Sequence, residues 1–301
     1  MKPLGLFQRG VFVIPLALAV FLNPVFTPAA SAASSVEERL AELEQEIKIL
    51  KRQRELEVEV NTKKEKETPV LVAGDKGFAL QSKDKNFEFK LRGYVQADHR
   101  SFLEDDSVGQ SNTFVLRRVR PQFEGTFYKY VGFRIMPDFA GSATSLQDAY
   151  VDFKYWKEAS LRVGKFKSPF GLERLQSGTN LLFVERGLPT NLVPNRDLGV
   201  QLFGELFDGR VEYQVGAFNG VEDGASGITD AADDKDFVAR IFANPFKNSV
   251  DERISGLGLG VATSWGKAHG TASSSGLPTY RSTGQAAAYS YISGGPFADG
   301  D

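Results

Sequence analysis

The sequence predicts an all-β protein, an antiparallel transmembrane β-barrel with a short coiled-coil helix on its N-terminal side. Three observations carry this reading. From about residue 86 to 267, apolar and polar residues alternate with a period of two, in segments of about ten residues split by Gly, Pro, Asn and Asp; that length suits a membrane-spanning strand. The connections between segments are alternately short and long, as where one end of a barrel carries tight turns and the other long loops. An export signal precedes them all. Segment 86–98 is the clearest: Phe87, Phe89, Leu91, Val95 and Ala97 share one face, and Glu88, Lys90, Arg92, Tyr94, Gln96 and Asp98 the other. The apolar face is expected to meet lipid and the polar face water.

Residues 1–33 read as a signal peptide. Lys2 and Arg9 supply positive charge, residues 10–22 are apolar apart from Pro15, and Ala30-Ser31-Ala32 fits a small-x-small cleavage site. Residues 34–60 read as a periplasmic helix. Ser34 or Ser35 can cap it, and Glu37 and Glu38 suit its first turn. Val36, Leu40, Leu43, Ile47 and Leu50 are spaced four, three, four, three, a heptad seam that ends where Arg54 takes the next position. A helix this short gains stability by self-association, so an oligomerising coiled coil and a mobile charged helix both stand. Residues 61–77, charged up to Pro69, read as a linker. The barrel part occupies 78–301.

A weak alternation at 78–82 can pair with the segment from residue 86 through a turn at 83–85. Strands are expected at 87–100, 114–128, 132–139, 146–155, 160–166, 197–205, 210–218, 236–244 and 256–265, with a tenth beginning near Tyr280. The turns at 129–131, 156–159 and 207–209 are short; the loops 104–113, 140–145, 167–196 and 219–235 are long. About nine or ten strands, with no closing strand at 294–301, make this the expected N-terminal part of a longer barrel, since hydrocarbon does not tolerate an open strand edge. An aqueous channel calls for about 16 to 18 strands.

Composition narrows the function. A net charge of −2 gives no basic field for nucleic acid. With no cysteine, and only His99 and His269, disulfides are excluded and Cys or His zinc sites nearly so. A mean hydropathy of −0.24 is compatible with a membrane barrel, whose alternation averages out. No Gly-x-Ser-x-Gly elbow occurs, and Gly256-Leu-Gly-Leu-Gly260 alternates as a strand without a following helix. No enzyme and no cofactor are expected. Asp233, Asp234 and Asp236 could hold calcium weakly, though a solvated loop is the plainer reading.

Several stretches together resemble the phosphate-selective porin O and P family. Phe114-Val-Leu-Arg-Arg-Val-Arg-Pro-Gln-Phe-Glu-Gly-Thr-Phe-Tyr-Lys-Tyr130 is similar to its second strand, and Phe133-Arg-Ile-Met-Pro-Asp138 and Leu146-Gln-Asp-Ala-Tyr150 follow in order. Gly164-Lys-Phe-Lys-Ser-Pro-Phe-Gly-Leu-Glu173 resembles the start of its third loop, and Pro194-Asn-Arg-Asp-Leu-Gly-Val-Gln201 and Gly216-Ala-Phe-Asn-Gly220 continue the match. The similarity extends over about residues 78–290. It implies a homotrimeric outer-membrane barrel of about 16 strands, each protomer conducting small anions such as phosphate. One departure is that Tyr94 follows Gly93 where the family's anion channels often carry arginine, although Arg92 lies on the polar face.

An anion pore needs fixed positive charge in a narrow place, and the forked guanidinium suits phosphate. Arg118 and Arg120 are in phase with Gln122 and Glu124, hence on the polar face with Arg92. Arg117 is in phase with Val115, Val119 and Phe123, so it is expected to point outward near a rim or a protomer interface. The loop 167–196 is too long for a simple connection. Lys165 and Lys167 stand at its start, with Arg174, Arg186 and Arg196 along it. Its apolar stretch Leu181-Leu-Phe-Val184 needs cover, and folding into the lumen would both bury it and narrow the pore; the alternatives are a loop over the barrel mouth or against a neighbouring protomer. The expected anion-binding set is Arg118, Arg120, Arg92, Lys165, Lys167, Arg174 and Arg196, against the plainer reading that these cations pair with lumen carboxylates. Three rival functions remain: a pore for other solutes, a tether between outer membrane and cell wall, and a soluble β-sandwich with Phe87, Phe89, Val211, Tyr213, Val215, Leu257 and Leu259 in its core.

Overall fold

The structure, a computed structural model, describes residues 36–74, 77–102, 111–228, 233–267 and 277–291. The signal peptide, His269 and the chain end at 294–301 lie outside the described residues. The chain divides into two units, Met1–Val60 and Asn61–Asp301. Helix α1 (Val36–Glu67) forms the described part of the first and runs on past the expected end at residue 60. Lys63 and Lys64 keep the sequence helix-favouring beyond residue 60, and the helix stops just before Pro69, whose ring disfavours helical backbone ahead of it.

The second unit is built on one antiparallel sheet in which every strand pairs only with its neighbours in sequence. Its strands are β1 (Val70–Gly74), β2 (Gly77–Gln81), β3 (Glu88–Arg100), β4 (Thr113–Phe127), β5 (Val131–Asp138), β6 (Ser145–Phe153), β7 (Ser160–Lys167), β8 (Arg196–Leu206), β9 (Val211–Phe218), β10 (Asp236–Ala243) and β11 (Leu259–Trp265). A separate two-stranded ribbon joins β12 (Tyr280–Arg281) to β13 (Ala287–Tyr289). Residues 70–74, expected as linker, form β1 because Val70, Leu71 and Val72 favour extended backbone and find Gln81, Leu80 and Ala79 opposite. Among the described residues the sheet thus has eleven strands, the nine expected from 87 to 265 with β2 and β1 added, while the tenth expected near Tyr280 lies in the separate ribbon. Among the described residues it is open, with β1 and β11 at its edges.

Tight turns close one end. Tyr128 and Lys129 take φ of 50° and 65°, and Asp208 and Gly209 take 56° and 75°. These are type I′ geometries, whose twist matches that of paired strands. The β7–β8 connection at the other end carries a short helix, α2 (Leu172–Leu175), and a 3-10 turn, Leu188–Leu192. One connection at the tight end departs from the pattern: β10–β11 runs through α3 (Glu252–Ser255), capped by the Asp251 side chain.

Burial is inverted relative to a soluble sheet. Along β3, Phe89, Leu91 and Val95 are exposed while Lys90, Tyr94 and Gln96 are half-buried. Among the described residues, five apolar side chains are buried against fourteen polar or charged ones. The small apolar cluster of Phe166, Phe218 and Val238 packs with Tyr150 and Phe170. Exposed aromatics mark both ends of the strands: Tyr128, Tyr155, Trp156 and Phe207 at the tight turns, Phe114, Phe139 and Trp265 at the loops. Of the seven residues the sandwich reading put in a core, Phe87, Phe89, Val215, Leu257 and Leu259 are exposed and Val211 and Tyr213 are half-buried. Among the described residues no second layer covers them.

Candidate functional site

The polar face gathers its charge beneath the β7–β8 connection. A β-bulge decides which side chains of β4 reach it. Gln96 pairs with Arg118 and Ala97 with Leu116, which leaves Arg117 as the extra residue. A bulge adds one residue and re-aims the side chain it carries. Arg117 and Arg118 therefore both turn to the polar face, although they are adjacent in sequence. The expectation that Arg117 points outward is corrected: its Nε lies 2.5 Å from Glu185 Oε1. A second bulge between Met136 and Pro137 leaves Gln147 as the extra residue of β6.

Glu185 fastens the loop to β4. Its other oxygen lies 2.7 Å from the Arg118 guanidinium, which also donates to Gln96. Burial pushes the Glu185 carboxyl up, but hydrogen bonds and charge from Arg117 and Arg118 outweigh this and hold it below the usual range. Gly178 touches the same strand pair, because a Cβ there would sit 2.9 Å from the Tyr94 hydroxyl. Within the loop, the Lys167 amine donates to the carbonyls of Gln176 at 2.7 Å and Leu175 at 3.2 Å. Arg186 donates to the carbonyls of Gln176 at 2.7 Å and Glu173 at 3.2 Å, and Arg174 to that of Thr190. The stretch 181–184 is not buried as expected: Leu182, Phe183 and Val184 are exposed. Ion pairs and backbone hydrogen bonds hold the loop in place, so its apolar tip is not what docks.

Strand arginines are paired with carboxylates. Arg120 Nε lies 2.7 Å from Asp138, and another of its nitrogens donates to the Tyr94 hydroxyl at 3.2 Å. Arg196 Nε lies 2.6 Å from Asp148, and Arg162 grips both oxygens of Asp152 at 2.6 and 2.9 Å. The loop cations differ. Among the described residues Arg174 and Arg186 have no carboxylate partner and rest on carbonyl oxygens. The buried Arg174 Nε has no hydrogen bond at all. Burial, then the charge of neighbouring guanidiniums, pushes Arg174 down to about 10. Arg186 is likewise pushed to about 10 by burial and by Arg118, Arg196 and Arg120. Both remain cations at neutral pH.

Two cavities meet here. One, of about 610 Å³, is lined by eight arginines and four carboxylates, the latter being Asp138, Glu185, Glu222 and Asp223. Burial raises the carboxyls of Glu222 and Asp223 above their ordinary range. The other, of about 220 Å³, is lined by Arg120, Arg134, Arg162, Lys167, Arg186 and Arg196 with Asp148 as its one carboxylate. Arg120, Arg186 and Arg196 line both.

Of the expected set, Arg118, Arg120, Arg174 and Arg196 line the larger cavity, and Lys167 joins Arg120 and Arg196 in the smaller. Arg92 stands apart, paired with Glu124 at 2.7 Å in a third region where cations and carboxylates nearly balance. Lys165 is buried and lines neither cavity; its register partners are Ala149 and Leu198, out of phase with Arg162. Arg186 was absent from the expected set, and only its membership of the long loop hinted at it. Among the described residues no group of three or more carboxylates or histidines could hold a metal ion.

A strand meander that exposes its apolar face and stores cations beneath a long loop has the build of a channel wall, the class of the porins. The chain belongs to the phosphate-selective porin O and P family, whose model matches residues 89–301. It is also 27% identical over 124 residues to Porin O of Pseudomonas aeruginosa, a match covering 39% of this chain and 28% of that protein. The chain thus spans just over a quarter of the length of that curated relative. Family membership points to a channel rather than an enzyme.

Proposed function

We propose that this chain supplies part of the wall, and the constriction, of an outer-membrane β-barrel that passively conducts small anions, phosphate among them. Arg120, Arg186 and Arg196, which line both cavities, carry the proposal. An anion held in either cavity can meet these three guanidiniums, and guanidinium forks match phosphate oxygens. The exposed apolar face and its terminal aromatics support contact with lipid. Closure needs every strand edge paired, and the family resemblance supports a barrel of about 16 strands assembled as a homotrimer. Arg118 acts here through Glu185, holding the loop rather than meeting the ion.

The test is reconstitution of the protein in planar bilayers. In a KCl gradient the reversal potential is expected to report anion preference, and added phosphate to block chloride conductance saturably. A cation-selective reversal overturns the reading. The Asp138, Asp148 and Asp152 pairings, which neutralise Arg120, Arg196 and Arg162, favour a second reading in which the pore prefers anions but not phosphate. Anion-selective current untouched by phosphate selects it.

A further inference from the structure

Helix α1 presents an apolar seam that nothing in its own unit covers among the described residues. Val36, Leu40, Leu43, Ile47 and Leu50 are each half or more exposed. They repeat at alternating steps of four and three, the heptad pattern of a coiled coil. Arg54 interrupts the seam, so about two heptads are available, and a helix of that length is marginal alone.

We infer that α1 packs against α1 of other copies of this chain in a parallel, in-register coiled coil. The occupant is argued from charge. With Leu40 and Ile47 as a positions and Leu43 and Leu50 as d positions, Arg39 and Glu46 flank the seam on one side (g), and Glu44 and Lys51 on the other (e). In a parallel coil a g residue of one helix faces the e residue five places on in its neighbour. Arg39 then meets Glu44 of the next copy and Glu46 meets its Lys51, so both pairs are of opposite sign. Parallel order also follows from connectivity. Only residues 68 and 69 separate α1 from β1, so copies inserted in one membrane with one orientation have the C-terminal ends of α1 tied to the same side of it. This step rests on the proposed function, which places the copies in a common membrane. Copies held together through their barrels also raise each other's effective concentration, which lets so short a seam associate.

The test uses the full chain, which has no cysteine of its own. Leu50→Cys, in the seam, and Gln45→Cys, on the opposite face, are oxidised in the membrane and compared on denaturing gels without reductant. The seam variant is expected to give at least about five-fold more linked species. Adding Lys51→Glu to it opposes two glutamates and is expected to cut the linking by about the same factor. Adding Glu46→Lys as well restores the opposite-sign pair and the linking. Equal linking from both positions overturns the inference, as does failure of the double exchange to restore it, which is what an antiparallel pairing gives. Conductance of the same preparations separates the two proposals. Seam-specific linking in a protein that conducts no anions supports the coil and overturns the pore. Unspecific linking in an anion-selective protein overturns the coil alone.

Discussion

The two ends of the polar face hold their cations differently. At the tight-turn end Lys90 faces Glu88 at 2.9 Å, Arg92 faces Glu124 at 2.7 Å and Lys154 faces Asp152 at 2.9 Å, with cation side chains 40 to 50% exposed. Such pairs cancel as charge and are screened by water, each contributing about 1 kcal/mol or less. At the loop end Arg174 and Arg186 rest on carbonyl oxygens. A carbonyl dipole holds a cation in place without neutralising it. In the proposed pore, charge preference would follow from the kind of partner at the loop end, and an overall net charge of −2 says nothing about it.

Charge reversal at Arg186, which lines both cavities, should break the contrast most completely. Arg186→Glu is expected to turn the reversal potential from anion- to cation-selective. A unit charge about 6 Å away at an effective dielectric constant of about 20 is worth about 3 kcal/mol, a permeability change of well over ten-fold. Next comes the loop clamp. Glu185→Gln removes the carboxylate shared by Arg117 and Arg118, and breaking a buried pair costs about 3–5 kcal/mol. The loop should loosen, seen as increased open-channel noise, while anion preference rises about three-fold with the loss of one negative charge.

Acidification sharpens the comparison by a smaller step. Burial raises the Asp223 and Glu222 carboxyls, so their charge is present only above a raised pKa and is lost as pH falls through it, before an ordinary carboxylate responds. Anion preference should rise about two-fold as pH falls from neutral into the mildly acidic range, and Asp223→Asn should flatten that response in reversal-potential measurements. Arg92→Gln, at the balanced end, should change selectivity by less than about two-fold and stability by less than about 1 kcal/mol, measured by reversal potential and thermal unfolding.

Much of this architecture is legible in the period-two alternation, which marks β3 to β11 and separates the faces. Arg118 and Arg120 lie on the polar face that parity gives them. Arg117 escapes parity because a bulge belongs to the register of two strands, and one strand's sequence does not display it. β1 escapes because five residues are too few for a clear alternation beside a charged helix. The exposed tip at Leu182, Phe183 and Val184 was illegible because the loop docks through Glu185, whose partner Arg118 lies 67 residues away; Arg186 was illegible because its partners are backbone carbonyls, which any sequence supplies.

The pairing order has a kinetic consequence. Every hydrogen-bonded strand pair joins neighbours in sequence, so the wall can grow hairpin by hairpin with little loop-closure entropy to overcome at each step. The Glu185 clamp joins groups far apart along the chain and can form only once β4 and β7 are both in place. In the life of a newly made molecule the wall precedes the filter. If the proposed pore is right, a nascent channel would discriminate poorly between ions until its loop settles, and would acquire its charge preference as the last event of folding.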